Sequence, residues 1–67
     1  GFMDLVIYKE DEIIIIDFKT DATDNENKLI DMYAAQLQTY KHSMERITDL
    51  PIKTYIYAFS LFKCILL

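Results

Sequence analysis

The sequence has almost none of the residues that cross-link, bend or interrupt a chain: one cysteine, one proline, one glycine and no tryptophan. A single thiol, Cys64, excludes an intrachain disulfide, and with a single histidine beside it there is no ligand set for structural zinc. The scarcity of glycine and proline excludes collagen-like and low-complexity sequence. No apolar run reaches the ~18 residues of a membrane span. We therefore expect no membrane contact and a cytoplasmic location, in keeping with the low cysteine content.

Basic residues are also few, with 7 lysines and arginines against 11 aspartates and glutamates and a formal net charge of −4. Taken alone, this balance argues against a nucleic-acid-binding surface, which normally carries a basic patch. The 67 residues are 52% hydrophobic, which indicates a globular chain rather than a disordered one. A chain of this length forms one domain at most, which excludes a helicase core, a doubly wound nucleotide fold and a TIM barrel.

Two short segments, 2–8 and 12–18, are rich in β-branched and aromatic residues and flank a polar turn at 9–11. This pattern predicts two strands joined as a β-hairpin. The run over 13–16 is apolar on both faces, which predicts a central strand that is covered on both sides.

A helix is predicted after the hairpin. Residues 20–28 are typical of a loop, with Asn25 or Asn27 as the helix N-cap, and the helix begins near Lys28 and stops before Pro51. One apolar stripe runs along it, formed by Ile30, Tyr33, Leu37, Tyr40, Met44 and Ile47.

Residues 52–59 predict a third strand, and residues 62–66 a short fourth strand. The order β-β-α-β(β) belongs to the α/β class, as a mixed sheet with one covering helix. A third strand parallel to the second requires a right-handed crossover. One helix on one sheet face cannot bury the whole apolar tail, so we expect a homo-oligomer or contacts with further chain. The tail comprises Leu61, Phe62, Ile65, Leu66 and Leu67.

Three charged side chains fall in the predicted hairpin: Asp4, Asp17 and Lys19. A two-residue turn at Glu10 and Asp11 places Asp4 directly opposite Asp17, with Lys19 on the same face. Opposed like charges destabilise a strand pair, so a positive charge must offset them. Lys19 supplies one, and a Mg²⁺ or Mn²⁺ ion between the carboxylates would supply two more. The set matches metal-assisted phosphodiester hydrolysis. The alternative is a solvated salt bridge at the end of a hairpin.

Three segments occur together in a known order and spacing: Gly1-Phe2-Met3-Asp4, Ile15-Ile16-Asp17-Phe18-Lys19-Thr20 and Tyr33-Ala34-Ala35-Gln36-Leu37-Gln38-Thr39-Tyr40. They resemble the G-x-x-D strand, the D-[FY]-K-T strand and the Y-x-x-Q-L-x-x-Y helix of the PD-(D/E)XK nuclease domain of the RecB and AddA/AddB type. The resemblance covers about residues 1–62. It implies that residues 1–67 are a partial PD-(D/E)XK nuclease domain with a partial restriction-endonuclease-like core.

The resemblance also implies roles for individual residues. Asp4 and Asp17 match the two metal-binding carboxylates, and the backbone carbonyl of Phe18 matches a further metal ligand. Lys19 matches the catalytic lysine. The implied cofactor is Mg²⁺ or Mn²⁺, and the implied substrate is DNA.

Gln36 and Tyr40 match the family's Q-x-x-x-Y motif, which implies a position near the active site and the DNA. Tyr40 also continues the apolar stripe, so a purely structural role in the core is the alternative; Gln36 lies beside the stripe and needs a polar partner. The family's domain has an upstream helix that adds another acidic residue or a histidine to the metal, and nothing before Gly1 supplies it. His42 is interpreted as a surface residue. We therefore expect the isolated chain to bind metal weakly and to cut DNA poorly or not at all.

The leading hypothesis is a piece of a metal-dependent DNA nuclease that processes DNA ends in recombination repair. Its partners would be DNA and the remainder of a helicase–nuclease chain or complex, and the DNA-binding surface would lie outside these residues. One alternative is a catalytically inactive structural or interaction module of the same fold. Another is a small α/β dimerisation domain without any chemistry.

Overall fold

A computed structural model describes residues 4–67 of the chain. Its elements are strand β1 (Leu5–Tyr8), strand β2 (Ile13–Lys19), helix α1 (Glu26–Glu45), strand β3 (Ile52–Ala58), a 3₁₀ turn (Phe59–Leu61) and strand β4 (Lys63–Leu66). The order confirms the predicted class: a small α/β structure with a mixed four-stranded sheet and one helix. The part of the predicted first strand that falls on residues 2 and 3 lies outside the described residues.

The hairpin closes as the two-residue turn predicts. The Lys9 N–H donates to the carbonyl of Glu12 at 2.9 Å, which leaves Glu10 and Asp11 as the two turn residues. In the register that follows, Val6 pairs with Ile15. The turn therefore determines which side chains of β1 and β2 face each other.

The two central strands run in the same direction. The sheet order is β1-β2-β3-β4, with β2 parallel to β3 and each edge strand antiparallel to its neighbour. Because parallel neighbours need a crossover connection, α1 spans the distance from the end of β2 back to the start of β3. The right-handedness of this crossover stays a prediction.

Helix α1 begins slightly earlier and ends earlier than the sequence predicts. Asn25 is the N-cap, and its Oδ1 accepts from the Lys28 N–H at 3.2 Å. The helix closes at Arg46, well before Pro51. The predicted stripe is wrong at both ends: Leu29 is buried whereas Ile30 is only half-buried, and Ile47 lies past the helix with 74% of its surface exposed.

The core lies between α1 and one face of the sheet. The buried apolar residues are Ile13, Ile15, Leu29, Leu37, Tyr40, Met44, Ile52, Ile56, Ala58 and Ile65. The predicted cover on both faces of β2 is wrong within residues 4–67, because Ile14 and Ile16 on the opposite face are only half-buried. We call this second face the open face of the sheet. Its most exposed large apolar side chains are Leu5, Ile7, Phe18 and Leu66, with Phe59 of the 3₁₀ turn close by.

The apolar tail is only partly buried, as predicted. Ile65 is in the core, and Leu61 and Leu67 are half-buried. Phe62 is 87% exposed, and Leu66 is 60% exposed. In the described part of the chain, α1 is too polar to cross a bilayer and no other helix is long enough to do so.

Candidate active site

Asp4 and Asp17 meet at the open end of the hairpin. The pairing of Leu5 with Ile16 continues, one residue further, to Asp4 opposite Asp17. Hydrogen-bonded pairs alternate with non-hydrogen-bonded ones, and the Lys9–Glu12 bond sets that alternation. Asp4 and Asp17 therefore form a non-hydrogen-bonded pair, the type in which side chains lie closest. Asp17 is buried with 3% exposure, whereas Asp4 is exposed.

The two carboxyls have opposite pKa shifts. Burial raises the pKa of Asp17, and its hydrogen bond with Asp4 raises it further. The same hydrogen bond lowers the pKa of Asp4, which also accepts from the Phe18 N–H through Oδ2 at 2.8 Å. Like charges in contact cannot both ionise freely, so the proton stays on the buried member. The two groups titrate as a pair, with Asp17 as donor and Asp4 as acceptor.

Lys19 completes the cluster on the same sheet face. Its Nζ lies 2.9 Å from Oδ2 of Asp17 and donates to Oε1 of Gln36 at 3.0 Å. Burial lowers the pKa of Lys19, but the contact with Asp17 raises it more, and the pKa lies above its ordinary value of 10.5. Lys19 is therefore an ammonium ion at neutral pH.

Oδ2 of Asp17 has unused acceptor capacity. The contact with Lys19 has the distance of an ion pair but lacks the angles of a hydrogen bond, and among residues 4–67 this buried oxygen has no hydrogen-bond donor. A buried acceptor without a donor is uncommon and calls for an explanation. An electrophile that approaches from the Asp4 side would meet this oxygen directly.

Helix α1 contributes a row of polar groups to the cluster. Gln36 turns its amide oxygen to Lys19, and its Nε2 donates to the Tyr40 hydroxyl at 2.9 Å. The spacing of four residues places these two side chains on one side of the helix, as predicted. Tyr40 is buried, so it serves both the core and this row. His42 is exposed, as predicted.

Two further residues join the cluster that the sequence did not single out for this role. The Tyr33 ring centroid lies 3.9 Å from the Lys19 Nζ, and the Tyr33 hydroxyl donates to Oδ2 of Asp21 at 2.8 Å. Tyr33 was assigned to the apolar stripe and Asp21 to the loop. The signal that was available is spacing: Tyr33 lies one helical turn before Gln36, and Asp21 lies two residues after Lys19.

The oxygen donors fit a hard, partly hydrated cation. Phe18 directs its N–H towards Asp4, and the carbonyl of the same strand residue faces the same edge. Mg²⁺ takes one or two protein carboxylates and keeps several waters, so two carboxylates and one carbonyl are a sufficient set. They do not form a closed cage: within residues 4–67, no three His, Cys, Asp or Glu side chains lie close enough to hold a metal ion.

The raised pKa of Asp17 makes the stability of the chain depend on pH. As the pH rises above 3.8, the unfolded chain releases this proton before the folded chain does. The free energy of unfolding should therefore fall between pH 3.8 and the folded pKa, by about 1.4 kcal/mol for each pH unit that separates the two values. Asp4, with its lowered pKa, acts in the opposite direction, and its contribution is lost as the pH falls below 3.8. Urea denaturation from pH 3 to pH 8 should show the Asp17 decrease in the wild type and not in Asp17→Asn.

Asp49→Asn is the matched control, because Asp49 is an exposed carboxylate after the helix. It should retain the wild-type profile. An Asp17→Asn variant with the same slope as the wild type would contradict the proton-sharing pair.

Comparisons with known proteins find sequence relatives. No model of a known protein family matches the chain, and no solved structure matches it. Three relatives are each named as the A-type subunit of an ATP-dependent helicase/nuclease. The one from Syntrophomonas wolfei is 37% identical over 97% of the chain, the one from Clostridium botulinum 37% over 100%, and the one from Ligilactobacillus salivarius 38% over 100%.

The match covers a small part of those proteins. The chain spans only 6% of the length of the first two relatives and 5% of the third. The similarity nevertheless includes every residue of the cluster in the two matches that cover 100% of the chain. The chain is therefore related in sequence to one short segment of the RecB-like helicase–nuclease family, a segment found in proteins named as subunits of an ATP-dependent helicase/nuclease.

Proposed function

We propose that this chain supplies the catalytic cluster of a metal-dependent DNA nuclease, as part of a PD-(D/E)XK domain with a partial restriction-endonuclease-like core. The observation that carries the proposal is the contact of Asp4 with buried Asp17 at the end of a central strand, with the Lys19 ammonium on the same face. The relatives support it because their name includes a nuclease activity. A cytoplasmic location accords with such a function.

The metal ligands would be the carboxylates of Asp4 and Asp17 and the carbonyl of Phe18. Bound Mg²⁺ or Mn²⁺ would polarise a phosphoryl oxygen and lower the pKa of a coordinated water. Ligation requires the ionised carboxylate, so Asp17 must release the proton that it shares with Asp4. Its Oδ2, which is buried and has no hydrogen-bond donor among the described residues, is the oxygen best placed to gain a ligand.

Lys19 would act as a cation. Its raised pKa favours a fixed positive charge over a general base that must first lose a proton. An ammonium held beside the metal site stabilises the negative charge that develops on the phosphate in the transition state. Gln36 and Tyr40 would support it, because the Gln36 amide connects the ammonium to the Tyr40 hydroxyl. We infer that these two side chains also lie close to bound DNA.

Other parts of a helicase–nuclease would complete this function. Two carboxylates give a weak metal site, and a formal net charge of −4 disfavours DNA binding by the chain alone. We therefore propose that DNA contacts and a further metal ligand come from the remainder of the chain or complex, and that the isolated chain is weak or inactive as a nuclease. The alternative, an inactive structural module, is favoured by one observation: the described residues offer no third acidic ligand.

Metal titration tests the proposed site. We expect Mn²⁺ to raise the unfolding midpoint of the wild-type chain in a concentration-dependent manner, because a ligand that binds only the folded state stabilises it. Asp17→Ala should lose this response, whereas Asp49→Ala should keep it. Calorimetric titration of the same variants gives the affinity. A wild-type response in Asp17→Ala would place the metal elsewhere and remove the support for a nuclease.

Substitution of the lysine should separate binding from chemistry. Lys19→Ala should keep Mn²⁺ binding, or tighten it, because a neighbouring positive charge is removed. In the full-length protein it should reduce DNA cleavage by roughly 10²-fold or more, the typical loss when a preorganised charge-stabilising group is removed. Lys28→Ala, an exposed lysine on α1, is the control and should cleave at the wild-type rate. Unimpaired cleavage by Lys19→Ala would contradict the assigned role.

Self-association of the isolated chain is a separate proposal. The open face of the sheet exposes Leu5, Ile7 and Leu66, and exposed apolar patches usually mark interfaces. Sedimentation velocity should give a homo-oligomer for the wild type and a smaller species for Ile7→Lys. A monomeric wild type at high concentration would contradict self-association while leaving the nuclease proposal intact.

A further inference from the structure

The Lys19 ammonium is enclosed on three sides, and only two of them belong to the proposed site. Asp17 and Gln36 contact it through oxygen atoms, and the third side is the face of the Tyr33 ring, 3.9 Å away. The Lys19 side chain retains 15% of its exposure. A cation over an aromatic face is attracted by the ring quadrupole, and the attraction grows as water is excluded.

The two oxygen contacts alone do not fix the ammonium. Lysine is a point charge on a flexible four-carbon stem with three rotatable donors. Asp17 approaches from the same strand, without hydrogen-bond angles, and Gln36 approaches from the helix through an amide that can turn. The Tyr33 ring is a flat wall that blocks movement of Nζ away from the sheet end. Its own orientation therefore determines where the charge rests.

Asp21 determines the orientation of that wall. The Tyr33 hydroxyl donates to Oδ2 of Asp21 at 2.8 Å, and Asp21 lies in the loop that connects β2 to α1. The loop is itself ordered by a turn in which the Thr23 N–H donates to the carbonyl of Asp21 at 3.0 Å. The hydrogen bond ties α1 to the same chain segment that carries Lys19.

A role in the core alone does not account for this arrangement. Tyr33 does pack against both apolar clusters, next to Leu37 and Leu29. Packing requires only the ring, and phenylalanine would supply it. The hydroxyl bonded to Asp21 and the ring face turned to an ammonium are additional to packing.

We propose that Tyr33 is a positioning residue for Lys19 and that Asp21 acts through Tyr33 by holding its ring over the ammonium. The consequence for cleavage rests on the proposed nuclease function, whereas the positioning itself does not. The substrate is met by Lys19, and neither Tyr33 nor Asp21 is a catalytic residue.

The experiment has a readout that is independent of cleavage. Protons above an aromatic ring are shifted upfield, so the Lys19 ε-methylene signal in the full-length protein reports the ring directly by NMR. Tyr33→Leu should abolish this upfield shift. Tyr33→Phe and Asp21→Ala should each reduce it by a similar amount, and the double variant should be no worse than either, because both changes remove the same hydrogen bond. Tyr55→Leu, a half-buried tyrosine on the open face, should leave it unchanged.

Cleavage kinetics give the second readout. Tyr33→Leu should lower kcat by about tenfold to a hundredfold, the cost of misplacing a catalytic group, with KM nearly unchanged. Tyr33→Phe should recover most of this loss, and thermal melts identify any variant that fails to fold. Tyr33→Phe keeps the ring volume, so it decides the matter if Tyr33→Leu is unfolded. An unchanged Lys19 signal in Tyr33→Leu, or in both Tyr33→Phe and Asp21→Ala, overturns the proposal. A wild-type protein that cleaves no DNA overturns the nuclease function instead, and the NMR series still decides whether Tyr33 positions Lys19.

Discussion

The burial of the Asp17 carboxyl is the constraint on which the rest of the site depends. A strand that runs through the centre of the sheet ends on an acidic side chain with 3% exposure, opposite a second carboxyl. An isolated buried carboxylate costs far more than a domain of this size can supply, so the charge must be removed or compensated. In this chain a proton shared with Asp4 removes it, and the Lys19 ammonium compensates what is left.

These two forms of compensation bear on the proposed chemistry. A proton on Asp17 and a divalent cation compete for the same oxygen, which makes metal binding weaker at low pH. Lys19 already lies against Oδ2 of Asp17, so cation entry would place two positive centres near one carboxylate. Gln36 and the Tyr33 ring can hold the ammonium without help from Asp17. The polar groups of α1 thus explain how Lys19 could stay in place while Asp17 turns to a metal.

The sequence predicted those features that depend on local chemistry. The turn at Glu10 and Asp11 determines the hairpin register by itself, so the pairing of Asp4 with Asp17 followed without knowledge of the rest of the fold. The cap at Asn25 follows from its side-chain oxygen in the same way. These are short-range effects of turns and caps.

The features that failed depend on tertiary packing. A rotation of the helix by one residue buries Leu29 rather than Ile30, and no periodicity argument resolves so small a difference when both positions are apolar. Cover on both faces of β2 was inferred from four consecutive isoleucines, but residues 4–67 contain one helix, and it covers one face. The contacts of Tyr33 with Lys19 and Asp21 require the distance between a loop, a strand end and a helix, which spacing along the chain does not contain.

Stability alone does not explain why these polar residues meet here. A buried ion pair seldom outperforms apolar residues of the same volume, and such a replacement is often stabilising by about 1–4 kcal/mol. The neighbouring positions on this face, Ile15 and Ile13, show that the strand can be filled with isoleucine without difficulty. A purely structural module would gain by continuing that pattern through Asp17 and Lys19. A site that must bind a cation and stabilise negative charge requires both residues, and the conflict between the local polar cluster and the apolar core is typical of functional sites. This reasoning favours the catalytic proposal over the structural one.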